Sequence, residues 1–414
     1  MRMRSLTTGL LMALASGLAT GDHQVYNLYT FHSPPYQYTD ETPDGQKLSG
    51  ETVETIRCVM TRAGAQASIR LVPQNRGLYA LKRNLIDGYF AVDRSAELDQ
   101  NAWPSHPVAL EKWHWFYIGE KPAPDAARIG VVSGSNEELW LRRQGLEPVV
   151  SVSHASQLPA LLELERIDLA LMDERVMSRI RRAQPDDYSA LEQTFLRYVP
   201  LHLYLNPQFV SAHPDFLSRF NLALPPCMGI QTELSDAERA LVQQAADGLV
   251  QDLLGTVDLS EALQPAPAAA TFTDILTEDA LWRVLAPQHI TPLARHLLDL
   301  PASQALAHWQ ALHAPQVTEV LLINQQGALA AMSQLTSDYW QGDEPKFQEL
   351  VQEKPGQVVR RRAHWVSPIE YDVSTNRFQV VVSYALPVTH ASQEVNGVLS
   401  IGLAIEEVLK SRAN

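Results

Sequence analysis

The sequence predicts an α/β protein in two folded parts: an alternating strand–helix series over residues 22–233 and an α+β domain over 272–414. Two observations carry this reading. Through the first part, apolar residues recur in turn with period 2 and with helical spacing, the order from which a parallel sheet is built. Beyond a Pro/Ala-rich break at 264–270, three helical stretches come first and about five alternating strands follow. Composition agrees. A chain of 414 residues can hold two or three cores, and 45% hydrophobic with 19% charged residues is globular. A net charge of −14 argues against a nucleic-acid partner, which would need a basic face.

Residues 1–21 read as a secretory signal peptide, with Arg2 and Arg4 ahead of an apolar run at 10–18 and small residues at Ala19, Thr20 and Gly21. Cleavage is expected between Ala15 and Gly21, leaving a periplasmic protein. No later run reaches the roughly 18 apolar residues that span a bilayer, so no membrane insertion is expected. In an oxidising compartment the two cysteines, Cys58 and Cys227, read as a disulfide; two buried thiols are the alternative.

In the mature chain, 25–31 alternates as a strand, and the loop of Tyr36 and Gly50 leads to a helix at 51–63 with Val53, Ile56, Val59 and Met60 on one face. A strand at 67–72, an apolar-periodic helix and a short strand containing Asp87 follow, and a polar loop then closes at Ser105, His106 and Pro107. Residues 111–118 form the next strand. After the stiff connector at 121–124 come a strand at 128–132 and a helix at 136–144, with Ser133 and Ser135 at its entrance. Ser135 is the expected N-cap, and Glu138 completes a capping box. Strands at 149–152 and 167–173 flank a helix at 156–164, 198–205 is a further strand, and 214–224 a helix.

Several of these segments resemble the periplasmic solute-binding proteins of the polar amino-acid type, whose fold is two-lobed (type II). The carrying residues are PPY at 34–36 before Gly50 and a helix, LKRNLIDGYFA at 81–91, WPSHP at 103–107 and IDLALMD at 167–173. The resemblance implies a first lobe of about 22–119 with 200–233, and a second of about 125–197. It also brings the segments of Cys58 and Cys227 together, which favours the bridge. In that family an Arg shortly before the WPSHP position forks onto the ligand carboxylate and an Asp at the end of the second-lobe strand takes the ammonium. Here the Arg slot holds Leu98, with Arg94 four residues early, while Asp173 is kept. A carboxylate would then depend on the helix end at Ser133 and Ser135, or on Arg76, with Tyr36 and Phe90 as pocket walls. Each has a plainer reading: Asp173 as a helix cap, the arginines as surface charges, the aromatics as core.

Residues 234–254 read as a capped helix, and 234–271 as a helix-and-linker connector. Beyond it, helices at 277–286, 292–300 and 303–312 precede strands at 318–323, 328–332, 357–362, 364–370, 377–386 and 397–404, with a helix at 345–352. The run VLLINQQG at 320–327 and the stretch SDYWQGDE at 337–344 resemble the Cache (PAS-like) extracellular sensor domains. The resemblance implies a small-ligand pocket beneath the sheet, with Tyr339, Trp340, Asp343, Trp365, Tyr371 and Tyr384 as candidates to line it. For Tyr339 and Trp340 the alternative is a cap on the sheet.

No GxSxG, HExxH, Walker or CxxC pattern occurs, and none of the 13 His is spaced as a metal pair. No catalytic residue, metal or cofactor is therefore expected. The function expected is a secreted sensor that binds a small polar solute and signals through a separate membrane receptor, kinase or cyclase. The solute receptor of an ABC importer, working with its permease, is the alternative, and an enzyme on a binding-protein fold is the third reading.

Overall fold

The alternating segments of the first part build one eight-stranded sheet shared by two lobes. The computed structural model describes residues 25–42, 45–184, 188–228, 233–259, 262–263, 271–285, 289–354, 357–372, 377–388 and 392–410; the predicted signal peptide and the break at 264–270 lie outside these. In lobe one, Gln66–Leu71, Val25–Thr30 and Gly88–Asp93 run parallel. In lobe two, Leu169–Asp173, Ile129–Val132 and Val150–Val152 do the same. Two long antiparallel strands, Trp103–Ile118 and Leu191–Leu205, lie between them and belong to both lobes. They form the hinge.

The first of these strands differs from expectation. Residues 103–110, read as loop because of Pro104 and Pro107, are part of the hinge strand. A proline removes a ladder donor, so strands tolerate it mainly at edges and bulges. Here the register against Leu191–Leu205 shifts around His202 and Tyr204, the residues opposite Pro107 and Pro104. The Ser105 hydroxyl also accepts from Leu203 N–H (3.0 Å).

The helix Glu51–Arg62 buries Val53, Ile56, Val59 and Met60, the face its spacing predicts. Cys58 on that helix is bonded to Cys227, with Cα atoms 5.7 Å apart, which ties the helix to the 3₁₀ turn Pro225–Cys227. The Ser135 cap also forms, its hydroxyl accepting from Glu138 N–H at 3.2 Å. The Glu138 carboxylate reaches one residue further back than expected, accepting from Gly134 N–H (2.6 Å).

The second part is α+β. Its antiparallel sheet runs Leu329–Met332, Val317–Asn324, Val395–Ala404, Arg377–Pro387 and His364–Val366, with Glu370–Asp372 also pairing along Arg377–Pro387. Pro368 separates the last two strands, which the sequence presented as one. The expected helix at 345–352 is shorter, Pro345–Gln348, and gives way to the strand Val351–Lys354. The helix Asp236–Thr256, assigned above to a connector, is part of this core. Its Val242, Ala246, Leu249 and Leu253 pack with Val320, Val380, Leu399 and Ile401 of the sheet. Leu110 and Tyr198 of the hinge strands join the same cluster, so the two parts share apolar contact.

Candidate functional site

A cleft of about 1080 Å³ separates the lobes. It lies at the carboxyl ends of the parallel strands, where open α/β sheets place ligands. Phe31 to Pro34 follow one lobe-one strand and Val72 to Gln74 another; Ser133 to Ser135 and Ser153 to Ser156 follow two strands of lobe two. Much of the wall is apolar, including Phe31, Val72, Met172, Val176 and Ile180. Glu137, His154 and Arg179 supply charged or ionisable groups.

Of the seven residues expected to bind ligand here, only Ser133 and Ser135 border the cleft. Tyr36 and Phe90 are fully buried; the Tyr36 ring lies under the Arg175 guanidinium, 5.2 Å from its centroid. Asp173 is buried and accepts from the N–H groups of Lys112 (2.7 Å), Arg175 (2.9 Å) and Val176 (3.2 Å). It caps the helix Glu174–Ala183 and ties that helix to the hinge. Arg76 is exposed on the helix Gln74–Lys82. Arg94 pairs with Asp99 (3.0 Å) and borders a different cavity. Leu98, in the slot of the family's Arg, is buried in the lobe-one core.

Asn136, which the sequence reading passed over, is the residue that joins the lobes. It is fully buried at the first position of the helix Asn136–Arg143. Its Nδ2 donates to Ala91 O (3.0 Å) and its Oδ1 accepts from Asp93 N–H (3.3 Å), with the Gln74 side-chain amide in contact beside them (2.9 Å). All three residues are in lobe one. Ala91 holds a φ of 66°, left-handed backbone that is uncommon outside glycine and recurs at ligand clamps. Two ion pairs reinforce the junction: Arg143 with Asp93 (2.5 Å), and Arg175 with Glu51.

Three carboxylates meet near this junction. Burial pushes Glu137 up to about 7 and Asp173 up to about 6, the latter against its backbone donors. Glu111, accepting from the Trp113 indole (2.9 Å), is held well above the usual range by burial and by its neighbours Glu137 and Asp173. Next to them, Lys112 on the hinge strand bridges Glu174 of lobe two (2.9 Å) and Glu238 in the first turn of the helix Asp236–Thr256. Glu238 closes a capping box with Ser235.

In the second domain, a pocket of about 170 Å³ lies against the sheet, lined by Glu319, Glu344, Lys346, Trp365 and Glu370 among others. Of the six expected residues, Trp365 and Tyr371 border it. Tyr339 stacks on Trp282 (5.8 Å), and the backbone N–H groups of Tyr339 and Trp340 both donate to Asp279 (2.9 Å each). The Trp340 indole donates to Gln326 O (3.0 Å). These two residues cap the sheet. Asp343 is exposed. Tyr384 faces the other way, its hydroxyl donating to Asp247 of the helix Asp236–Thr256 (2.8 Å). Among the described residues no cluster of His, Cys, Asp and Glu is arranged to hold a metal ion, and no helix is long and apolar enough to cross a membrane.

No protein-family model matches the chain, and no curated protein does. Solved structures similar to it include an ancestral arginine-binding protein bound to arginine, 16% identical, covering 49% of this chain and 92% of that one at a TM-score of 0.40. A histidine kinase sensor domain with similarity to periplasmic binding proteins is 17% identical, with coverages of 49% and 89% and a TM-score of 0.41. An amino acid ABC transporter substrate-binding protein from Streptococcus pneumoniae, bound to L-arginine, is 12% identical, with coverages of 49% and 88% and a TM-score of 0.40.

Proposed function

We propose that this protein is a secreted periplasmic sensor: it takes a small solute into the interlobe cleft and passes the result to a membrane partner such as a receptor, kinase or cyclase. The second domain, with its Cache-like sequence run, is the part that meets that partner. The wall chemistry favours a ligand with an apolar body and a polar end, held against Glu137, His154 or Arg179. An ordinary α-amino acid fits less well, because Leu98 replaces the carboxylate-binding Arg and Asp173 is engaged by three backbone donors.

One observation carries the reading. Lys112 lies on the hinge and holds both lobe two, through Glu174, and the helix Asp236–Thr256 of the second domain, through Glu238. A change in lobe angle at the hinge therefore bears on the first turn of that helix. The importer reading leaves this bridge and the second domain without a task.

Hydrogen exchange tests the coupling. A compound that binds the cleft should slow amide exchange in the first turn of the helix Asp236–Thr256. In Lys112→Met the same compound should still bind, and that response should disappear. An unchanged response in the variant refutes the coupling.

A further inference from the structure

A second cavity, about 660 Å³, lies where both lobes, the hinge and the second domain meet. Its volume falls within the range of small-molecule pockets, and domain junctions are a favoured place for them. The first domain contributes Arg94 from lobe one, Arg143 from lobe two and Arg197 from the hinge; the second contributes Tyr371 and Phe378, whose rings lie 5.3 Å apart.

The three guanidiniums are not equivalent. Arg143 is fully engaged: it donates to Asp93, to Arg94 O (2.9 Å) and to Leu139 O (3.2 Å). Arg94 engages Asp99 through Nε (3.3 and 3.0 Å), and its Nη groups make no hydrogen bond among the described residues. Arg197 is half-buried, its Nε donating weakly to Tyr198 O (3.4 Å) and its guanidinium 5.8 Å from the Trp113 ring centroid. Its Nη groups too have no hydrogen-bond partner and no carboxylate within ion-pair distance among the described residues; the charge nearest it in effect is Asp93, which Arg143 already pairs. A partly buried cation with an open planar fork suits a carboxylate or phosphate. Glu406 and Glu407 border the same cavity and disfavour a polyanion.

We propose that this junction binds a small monocarboxylate with an aromatic body. Its carboxylate is held by Arg197 and Arg94, and its ring lies against Tyr371 and Phe378. The site is complete only when both domains contribute, so occupancy fastens the second domain to the hinge. It is distinct from the interlobe cleft and does not depend on a ligand there.

Calorimetric titration of the full mature chain with benzoate and 4-hydroxyphenylacetate, with benzylamine as the cationic control, tests this. At least one of the two carboxylates should bind, and benzylamine should not. Affinity should fall at least tenfold in Arg197→Gln and in Tyr371→Ala, which alter opposite walls, and stay within twofold in Val176→Trp, which intrudes into the interlobe cleft. If Arg197→Gln does not fold, Arg94→Gln must show the same loss. Absence of binding by both carboxylates up to millimolar concentration, equal binding of benzylamine, affinity retained in the folded Arg variant or in Tyr371→Ala, or loss of binding in Val176→Trp overturns the proposal.

Discussion

Asn136 makes two hydrogen bonds to lobe-one backbone from a fully buried position. Replacing it with Ala leaves Ala91 O and Asp93 N–H without this partner, and a buried polar group left unpaired costs about 1–3 kcal/mol. Asn136→Ala should therefore lower the urea midpoint by an amount of that order. It should also raise the radius of gyration in small-angle scattering as the lobes separate. Glu137, beside it, contributes to the pH response together with Asp173 and Glu111. Its pKa is pushed up to about 7 in the folded protein by burial, so as pH rises the unfolded chain loses this proton first. The stability that the neutral acid contributes is full below about pH 4.5 and is lost as pH climbs through about 7. Glu137→Gln removes its own share of the titration and leaves that of Asp173 and Glu111. Compared with the parent across pH 5–8, the variant should gain relative stability, on the order of 2 kcal/mol by pH 8, measured by urea denaturation. At this scale the sequence was least legible. Asp173 ends a strand and begins a helix, a position that reads alike for a ligand carboxylate and an N-cap. Asn136 carried no signal, because its partners Ala91 and Asp93 lie more than forty residues away and offer backbone atoms.

At the scale of elements the sequence was more informative, because period and caps are local properties. The helix Glu51–Arg62 and its buried face follow from apolar spacing, and Ser135 and Ser235 mark the starts of their helices. The long hinge strand was missed at its beginning because Pro104 and Pro107 are loop signals wherever a bulge is not foreseen. The Cys58–Cys227 bridge was suggested by compartment and by the resemblance, and spacing alone could not have paired it. It joins residues 169 apart in sequence. Closing a loop of that length is worth about 5 kcal/mol in the chain-entropy account, with 2–5 kcal/mol the usual cost of losing a native bridge in small secreted domains. Cys58→Ser with Cys227→Ser should lower stability by 2–5 kcal/mol in urea denaturation, with fluorescence following lobe one.

For the whole molecule, the two-part division was legible from the change in element order, but the contact between the parts was not. Periodicity shows which face of a helix is buried, not what covers it. The helix Asp236–Thr256 is an example: its apolar face was visible, yet its partners are strands 60 to 160 residues further on and, through Leu110 and Tyr198, the hinge itself. The same limit separated Arg94 from its surroundings, since the cavity it borders is closed by Tyr371 and Phe378 of the other domain. As a whole, then, the molecule is a hinged cleft whose pivot is fastened to a second domain.

The measurement that bears most directly on this account is the melting temperature of the mature protein against a panel of small carboxylates, amines and amphipathic solutes, run in parallel on Val176→Trp. A ligand that binds only the folded state stabilises it by mass action, by about 2.7 kcal/mol at a hundredfold excess over Kd. The account predicts that at least one compound raises the melting temperature of the parent by several degrees and shifts Val176→Trp, with its cleft wall obstructed, by much less. If no compound shifts the parent, or if every shift persists in Val176→Trp, the interlobe cleft is not the sensing site.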